Sequence, residues 1–175
     1  MLIAAAAQIL AVAKRPVILA GGGAKRAGEA LRKLAERLDA PVVQTVNARG
    51  VLFGHPLSIP ASPSLQAVRN LIEESDAVLA VGTELGPTDY DMYGTGTMAK
   101  MSALIRVDIC AEQLTRHEAE IAIEGEAIQT LSDLLEHLPP TGNGMGGPER
   151  AKRTRLAALK EIGPECRAQV EVLNA

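Results

Sequence analysis

Aromatic residues are nearly missing from this chain of 175 residues: one Phe, two Tyr and no Trp, 2% in all. The core must therefore be aliphatic, built from Leu, Ile, Val and many Ala. Such small side chains let helices and strands approach closely, as in a layered α/β domain. There is no basic excess either, since 18 Lys and Arg against 21 Asp and Glu leave a net charge of −3. Without a basic stripe or stacking aromatics, nucleic-acid binding is excluded as a function class. Only two cysteines are present, Cys110 and Cys166, far apart and in no metal-ligand spacing. That pattern argues against a disulfide framework or a zinc site and for a reducing, cytoplasmic setting.

No long apolar run is present. Residues 1–13 are apolar apart from Gln8, too short a stretch to span a bilayer. Lys14 and Arg15 follow that stretch rather than precede it, the wrong order for a signal peptide. An Ala-rich helix packed on a sheet fits better. Signatures of catalysis are missing too. There is no GxSxG elbow and no GxxxxGK[ST] loop. His55, His117 and His137 have no Ser or Cys partner in a recognisable setting and read as solvated. Asp89, Tyr90, Asp91 and Tyr93 cluster in a loop, where carboxylates are ordinarily solvated as well. No catalytic residue and no metal ligand is assigned.

What is present is alternation. Short, fully apolar runs at 16–20, 41–46 and 77–81 read as strands buried on both faces. Further strands are expected at 103–107, closed by Asp108, and at 120–123. Between them, 24–38, 64–74, 111–116 and 126–138 carry helical periodicity. In the last of these, Ile128, Leu131, Leu134, Leu135 and Leu138 form the expected buried face. Residues 47–63 are turn-rich, and 83–100 form a long Gly-containing loop. Strands alternating with helices imply βαβ crossovers, so the fold expected is a doubly wound α/β domain. Its parallel sheet has five or six strands and helices on both faces. Residues 139–148 have the composition of a linker. A basic helical extension follows at 149–175, with Lys152, Arg153 and Arg155 on its wet face.

Gly21, Gly22 and Gly23 join the first strand to the next helix. Backbone N–H groups there can hold a phosphate, or the glycines can simply serve a tight turn. Position 26 is Arg rather than the third glycine of a GxGxxG fingerprint, and the second strand ends without the carboxylate that would hold an NAD ribose. Asp108 can meet a ribose or adenine, or cap the helix that follows.

Five segments then occur in register: Lys-Arg-Pro-Val-Ile-Leu-Ala-Gly-Gly-Gly at 14–23, Leu-Ala-Glu-Arg-Leu-Asp-Ala-Pro-Val at 34–42, Arg-Gly-Val-Leu-Phe-Gly-His-Pro-Leu at 49–57, Ser-Asp-Ala-Val-Leu-Ala-Val-Gly-Thr at 75–83 and Leu-Ile-Arg-Val-Asp-Ile at 104–109. Together they resemble the central domain of thiamine-diphosphate-dependent enzymes of the acetolactate synthase and 2-oxo acid decarboxylase group. The likeness covers about residues 2–138. It implies a Rossmann-like sheet between a pyrimidine-binding domain and a diphosphate-binding domain, which hold the thiamine diphosphate and Mg. It also implies a transferase or lyase parent that is a homodimer or homotetramer, and a 175-residue chain that is inactive alone. In flavin-containing members this domain binds FAD, and in others ADP. By position the nucleotide would touch Gly21, Gly22, Gly23, Gly82, Thr83, Asp108 and Ile109. Two departures point to a lost or degenerate flavin site: Ser-Ile-Pro-Ala-Ser-Pro at 58–63 in place of a Gly-rich stretch, and Thr83-Glu84 where relatives carry an Arg. The competing reading is a freestanding FAD-binding module of the electron-transfer-flavoprotein type. A sirtuin-like deacylase would need paired Cys-x-x-Cys ligands that the chain lacks.

Overall fold

A computed structural model describes residues 1–90 and 92–173. Six parallel strands form one sheet: β1 (Pro16–Ala20), β2 (Val42–Gln44), β3 (Ser58–Ile59), β4 (Ala77–Val81), β5 (Leu104–Asp108) and β6 (Ile121–Glu124), in the order β3-β2-β1-β4-β5-β6. This is the doubly wound order of the Rossmann-like class, whose strand sequence reverses between β1 and β4.

Period-two alternation divides the central strands between two cores. Ile18, Ala20, Leu79, Val81, Ile105 and Val107 point to one face. There they meet α1 (Leu2–Val12), α2 (Gly28–Leu38) and α6 (Ala127–His137). Val17, Leu19, Val78, Ala80 and Leu104 point to the other face. It is covered by α3 (Gln66–Glu73), the loop carrying Tyr90 and Ala99, and α7 (Gly147–Glu161). In α1 the buried positions are Ala6, Ala7 and Leu10, so the helix lies close against its neighbours. The expectation from the missing aromatics is met: of the three, only Tyr90 is buried, while Phe53 and Tyr93 are exposed.

Local boundaries differ from the sequence expectations in instructive ways. The helix expected over 24–38 begins as a 3₁₀ segment, Gly22–Ala27, and becomes α-helical only at Gly28. The second strand stops at Gln44, because Thr45 turns the chain into a 3₁₀ segment at Val46–Ala48. The turn-rich stretch hides β3, two residues long and enclosed by Pro56 and Pro60. One helical turn, α4 (Met92–Thr95), interrupts the long loop. Asp108 and Glu124 are the last residues of their strands rather than the first beyond them. Ile128 is exposed, leaving the buried face of α6 to Ala127, Thr130, Leu131 and Leu134.

The segment with linker composition lies against the sheet domain. Gly142 donates to the Arg37 carbonyl, the Asn143 side chain to the Ala11 carbonyl and Met145 to the Lys14 carbonyl. Asp39, left-handed at φ 50° where α2 ends, accepts the Gly147 N–H on its carboxylate at 2.7 Å. Beyond it, Arg150 is buried and donates to the Pro16 and Asp39 carbonyls. The expected wet face of this helix is only partly wet. Lys152 and Arg153 are exposed, Arg153 pairing with Glu74 at the surface, whereas Arg155 is half-buried and donates to the Pro56 and Ser58 carbonyls beside the edge strand. A last helix, α8 (Pro164–Leu173), follows.

Candidate functional site

Where strand order reverses in such a sheet, the loops leaving the strands diverge and open a crevice at their carboxyl ends. Here that crevice is a cleft of ≈ 730 Å³. All seven residues singled out from the sequence line it: Gly21, Gly22 and Gly23 after β1, Gly82 and Thr83 after β4, and Asp108 and Ile109 at the end of β5. The structure adds the ends of β2 and β6, through Asn47 and Gly125–Ala127, and the near end of the long loop.

The glycines are where two main chains touch. Gly21 donates to the Val81 carbonyl at 2.9 Å and Gly23 to the Gly82 carbonyl at 3.0 Å. A Cβ on Gly21 would stand 2.2 Å from the Gly82 oxygen, and one on Gly23 2.8 Å from the Gly82 Cα. Gly82 itself has φ +55°, a conformation that disfavours any side chain. Two of the three consecutive glycines thus have a packing duty independent of any ligand. Gly22 faces only the Asn47 side chain, at 3.3 Å.

Beneath the cleft lies a buried polar knot. Arg106, 1% exposed, donates to the Gln113 carbonyl at 2.7 Å, the Leu114 carbonyl at 3.3 Å and the Thr83 carbonyl at 3.4 Å. It ties β5 to the end of β4 and to α5 (Ala111–Thr115). Burial pushes its guanidinium pKa down, and Asp108 partly opposes that. Tyr90 is buried beside this knot, so its phenol resists ionisation well above the ordinary range, with the Thr83 side chain opposing the shift. Arg69 holds the same loop from α3, donating to the Tyr90 and Thr97 carbonyls.

The three histidines are not uniformly solvated. His55 is mostly enclosed, with its Nε2 3.1 Å from Glu36 and its Nδ1 accepting the Leu57 N–H. His117 is part-buried; burial and the nearby Arg106 cation hold its pKa below the usual value, while a backbone hydrogen bond with Leu85 acts the other way. His137 sits at the exposed end of α6, its Nδ1 against the Asp133 carbonyl. Asp91 lies outside the described residues. Asp108 accepts the Cys110 N–H at 3.0 Å, a turn closed two residues on; the N-cap of α5 is Cys110 and no side chain caps it, so Asp108 does not take the capping role considered from sequence. Among the described residues, no three His, Cys, Asp or Glu side chains converge as a metal site. Nor is any helix among them long and apolar enough to cross a membrane.

Comparison with known proteins decides the family. The model for "Thiamine pyrophosphate enzyme, central domain" matches residues 3–134. This chain belongs to that family. It is 41% identical over 156 residues to a probable 2-ketoarginine decarboxylase of Pseudomonas aeruginosa, covering 88% of this chain and 27% of that protein. It is 35% identical over 171 residues to a probable sulfoacetaldehyde acetyltransferase of Rhizobium meliloti, covering 91% and 29%. An acetolactate synthase of Mycobacterium avium is 32% identical over 145 residues, covering 78% and 22%. The fold matches, with a TM-score of 0.64, the solved structure of a putative thiamin diphosphate-dependent enzyme from Mycobacterium smegmatis. That structure is 23% identical, and the match covers 79% of this chain and 28% of it. The chain thus spans less than a third of the length of these curated relatives. The resemblance drawn from five short segments over about 2–138 and the family match over 3–134 coincide.

Proposed function

We propose that this chain is the central spacing domain of a thiamine-diphosphate-dependent enzyme that makes or breaks a bond beside a 2-oxo group. The observation that carries the reading is one of proportion. Nearly all of this chain aligns with just over a quarter of a 2-ketoarginine decarboxylase, as a module within a larger enzyme would. Within that enzyme, thiamine diphosphate supplies the carbanion chemistry and Mg anchors its diphosphate. Both would be held by pyrimidine- and diphosphate-binding domains, in a homodimer or homotetramer, in the cytoplasm.

The residues of this chain contribute rigidity. Arg69, Arg106 and Arg150 are each buried and each bonded to main-chain carbonyls, so loops that would otherwise drift are pinned to the sheet. A spacer of this kind fixes the separation of its neighbours, and a cofactor site shared between two domains tolerates little misplacement. The switch-point cleft is, on this reading, a degenerate nucleotide site: the shape is kept and the charge is wrong for ADP or FAD.

The direct test exchanges domains. The corresponding segment of the 2-ketoarginine decarboxylase is replaced by this chain, and thiamine-dependent release of CO₂ from the 2-oxo acid is measured. A chimera that keeps activity supports a spacing role. A folded chimera with no activity counts against it, and thiamine-dependent turnover by the 175-residue chain alone overturns it.

A further inference from the structure

The charge of the cleft does not match the ligands its shape suggests. Its lining includes four carboxylates: Glu84 and Asp89 from the loop after β4, Asp108 from the end of β5 and Glu126 from just after β6. Among the described residues, no Lys, Arg or His lines it. Two cations that contact lining residues are engaged outside the cleft. Arg106 lies beneath the lining with its guanidinium bonded to the carbonyls of Gln113, Leu114 and Thr83. Arg116 sits 3.6 Å from Glu84, on the carboxylate rather than in the cleft. Asp89 is held toward its protonated form. Burial, and then the neighbouring Glu84, raise its pKa above the ordinary carboxylate value. ADP and FAD each bring a diphosphate, which backbone donors and cations favour and nearby carboxylates repel. Gly22 meets only the Asn47 side chain, so the turn keeps room for a phosphate and the lining opposes it by charge.

We propose that the switch-point cleft is a phosphate-excluding site, in which Glu84, Asp89 and Glu126 repel free nucleotide diphosphates that the cavity would otherwise accommodate. Asp108 keeps its charge but is left unaltered in the test, because its carboxylate also accepts the Cys110 N–H and its loss would disturb that turn. Glu84 acts twice: it places a negative charge on the rim, and it holds Arg116 away from the cleft.

This inference rests on the geometry of the cleft and not on the reaction of any larger enzyme, so the domain exchange above and the following experiment fail independently. ADP and FAD are titrated, without divalent cation and at low salt, against the unaltered chain and the triple variant E84Q/D89N/E126Q. Binding is followed by calorimetry and by flavin fluorescence. All three side chains are at least partly exposed, so the variant keeps the fold, and a thermal melt checks it. The single variant E84Q serves as a second probe, since it also releases Arg116. The expected result is no measurable binding to the unaltered chain, and at least about tenfold tighter binding to the triple variant. E84Q is expected to lie between them. Binding to the unaltered chain as tight as to the variant overturns the proposal. So does failure of all three proteins to bind, since shape and not charge would then close the cleft.

Discussion

Gly21 and Gly82 meet main chain to main chain: a Cβ on Gly21 would lie 2.2 Å from the Gly82 carbonyl oxygen and 2.5 Å from the Thr83 Cα. The contact joins the first turns after β1 and β4, the two strands between which the sheet changes direction. It also separates the two roles open to this glycine run. Alanine at Gly21 or Gly82 is expected to cost about 3 kcal/mol, through overpacking against immovable backbone and, at Gly82, a left-handed φ. Alanine at Gly22 is expected to cost under about 1 kcal/mol, since the exposed Asn47 side chain can shift by the few tenths of an ångström required. Urea unfolding of the three variants without ligand measures this directly. Equal, small losses would show that the close approach is not what the glycines serve.

Arg106 is a cation on a strand, buried without an ion-pair partner among the described residues. Its value lies in three carbonyl oxygens, those of Gln113, Leu114 and Thr83, which water cannot readily reach once it is gone. Arg106→Met keeps the bulk and removes the donors, and is expected to destabilise by about 3 kcal/mol. Hydrogen exchange should accelerate first in the 111–115 helix and at 83–89. A loss spread evenly over the sheet would point to a packing role alone.

These arginines mark how far the sequence could be read. The apolar runs of β1 and β4 and the glycines after them are local signals, so the sheet and the cleft at its carboxyl ends were legible. The five segments in register carried the family as well. β3 was not legible, because two residues between prolines leave no periodicity to detect. The acidity of the cleft was only partly legible. Glu84 stood out where a diphosphate would lie and Asp89 follows in the same loop, but Glu126 joins them only through the fold, 42 positions beyond Glu84 (126 − 84). Arg69 and Arg150 carry no sign of burial in their own neighbourhoods. Their partners are carbonyls of distant loops, which sequence patterning does not reveal.

Asp39 joins the end of α2 to the start of α7 by three means: a left-handed backbone, a carboxylate accepting the Gly147 N–H, and a carbonyl accepting Arg150. Asparagine tolerates that backbone and retains an acceptor oxygen, whereas alanine does neither well. Asp39→Asn is therefore expected to stay within about 1 kcal/mol of the unaltered chain and Asp39→Ala to lose about 2 kcal/mol. Limited proteolysis provides a second readout. Cleavage in 139–146 should rise in the alanine variant, because that segment is held between these contacts. Equal stability of the two variants would show that the carboxylate carries none of the joint.

His117 gives the fold a pH dependence of defined sign. Burial and then the Arg106 cation hold its imidazole pKa below the ordinary value, and the Arg116 cation acts in the same direction. The folded chain therefore resists a proton that the unfolded chain accepts near about pH 6.5. The contribution is complete above that pH and is lost as the pH falls through and below it, because the unfolded state then binds more protons. His117→Gln removes this part of the slope and leaves that of the carboxylates. Urea midpoints are measured at about pH 7.5 and about pH 5.5, on either side of the imidazole range. The drop between them should be smaller in the variant than in the unaltered chain. An identical drop would mean that His117 takes up its proton in the folded chain as readily as in the unfolded one, and that neither burial nor Arg106 governs it.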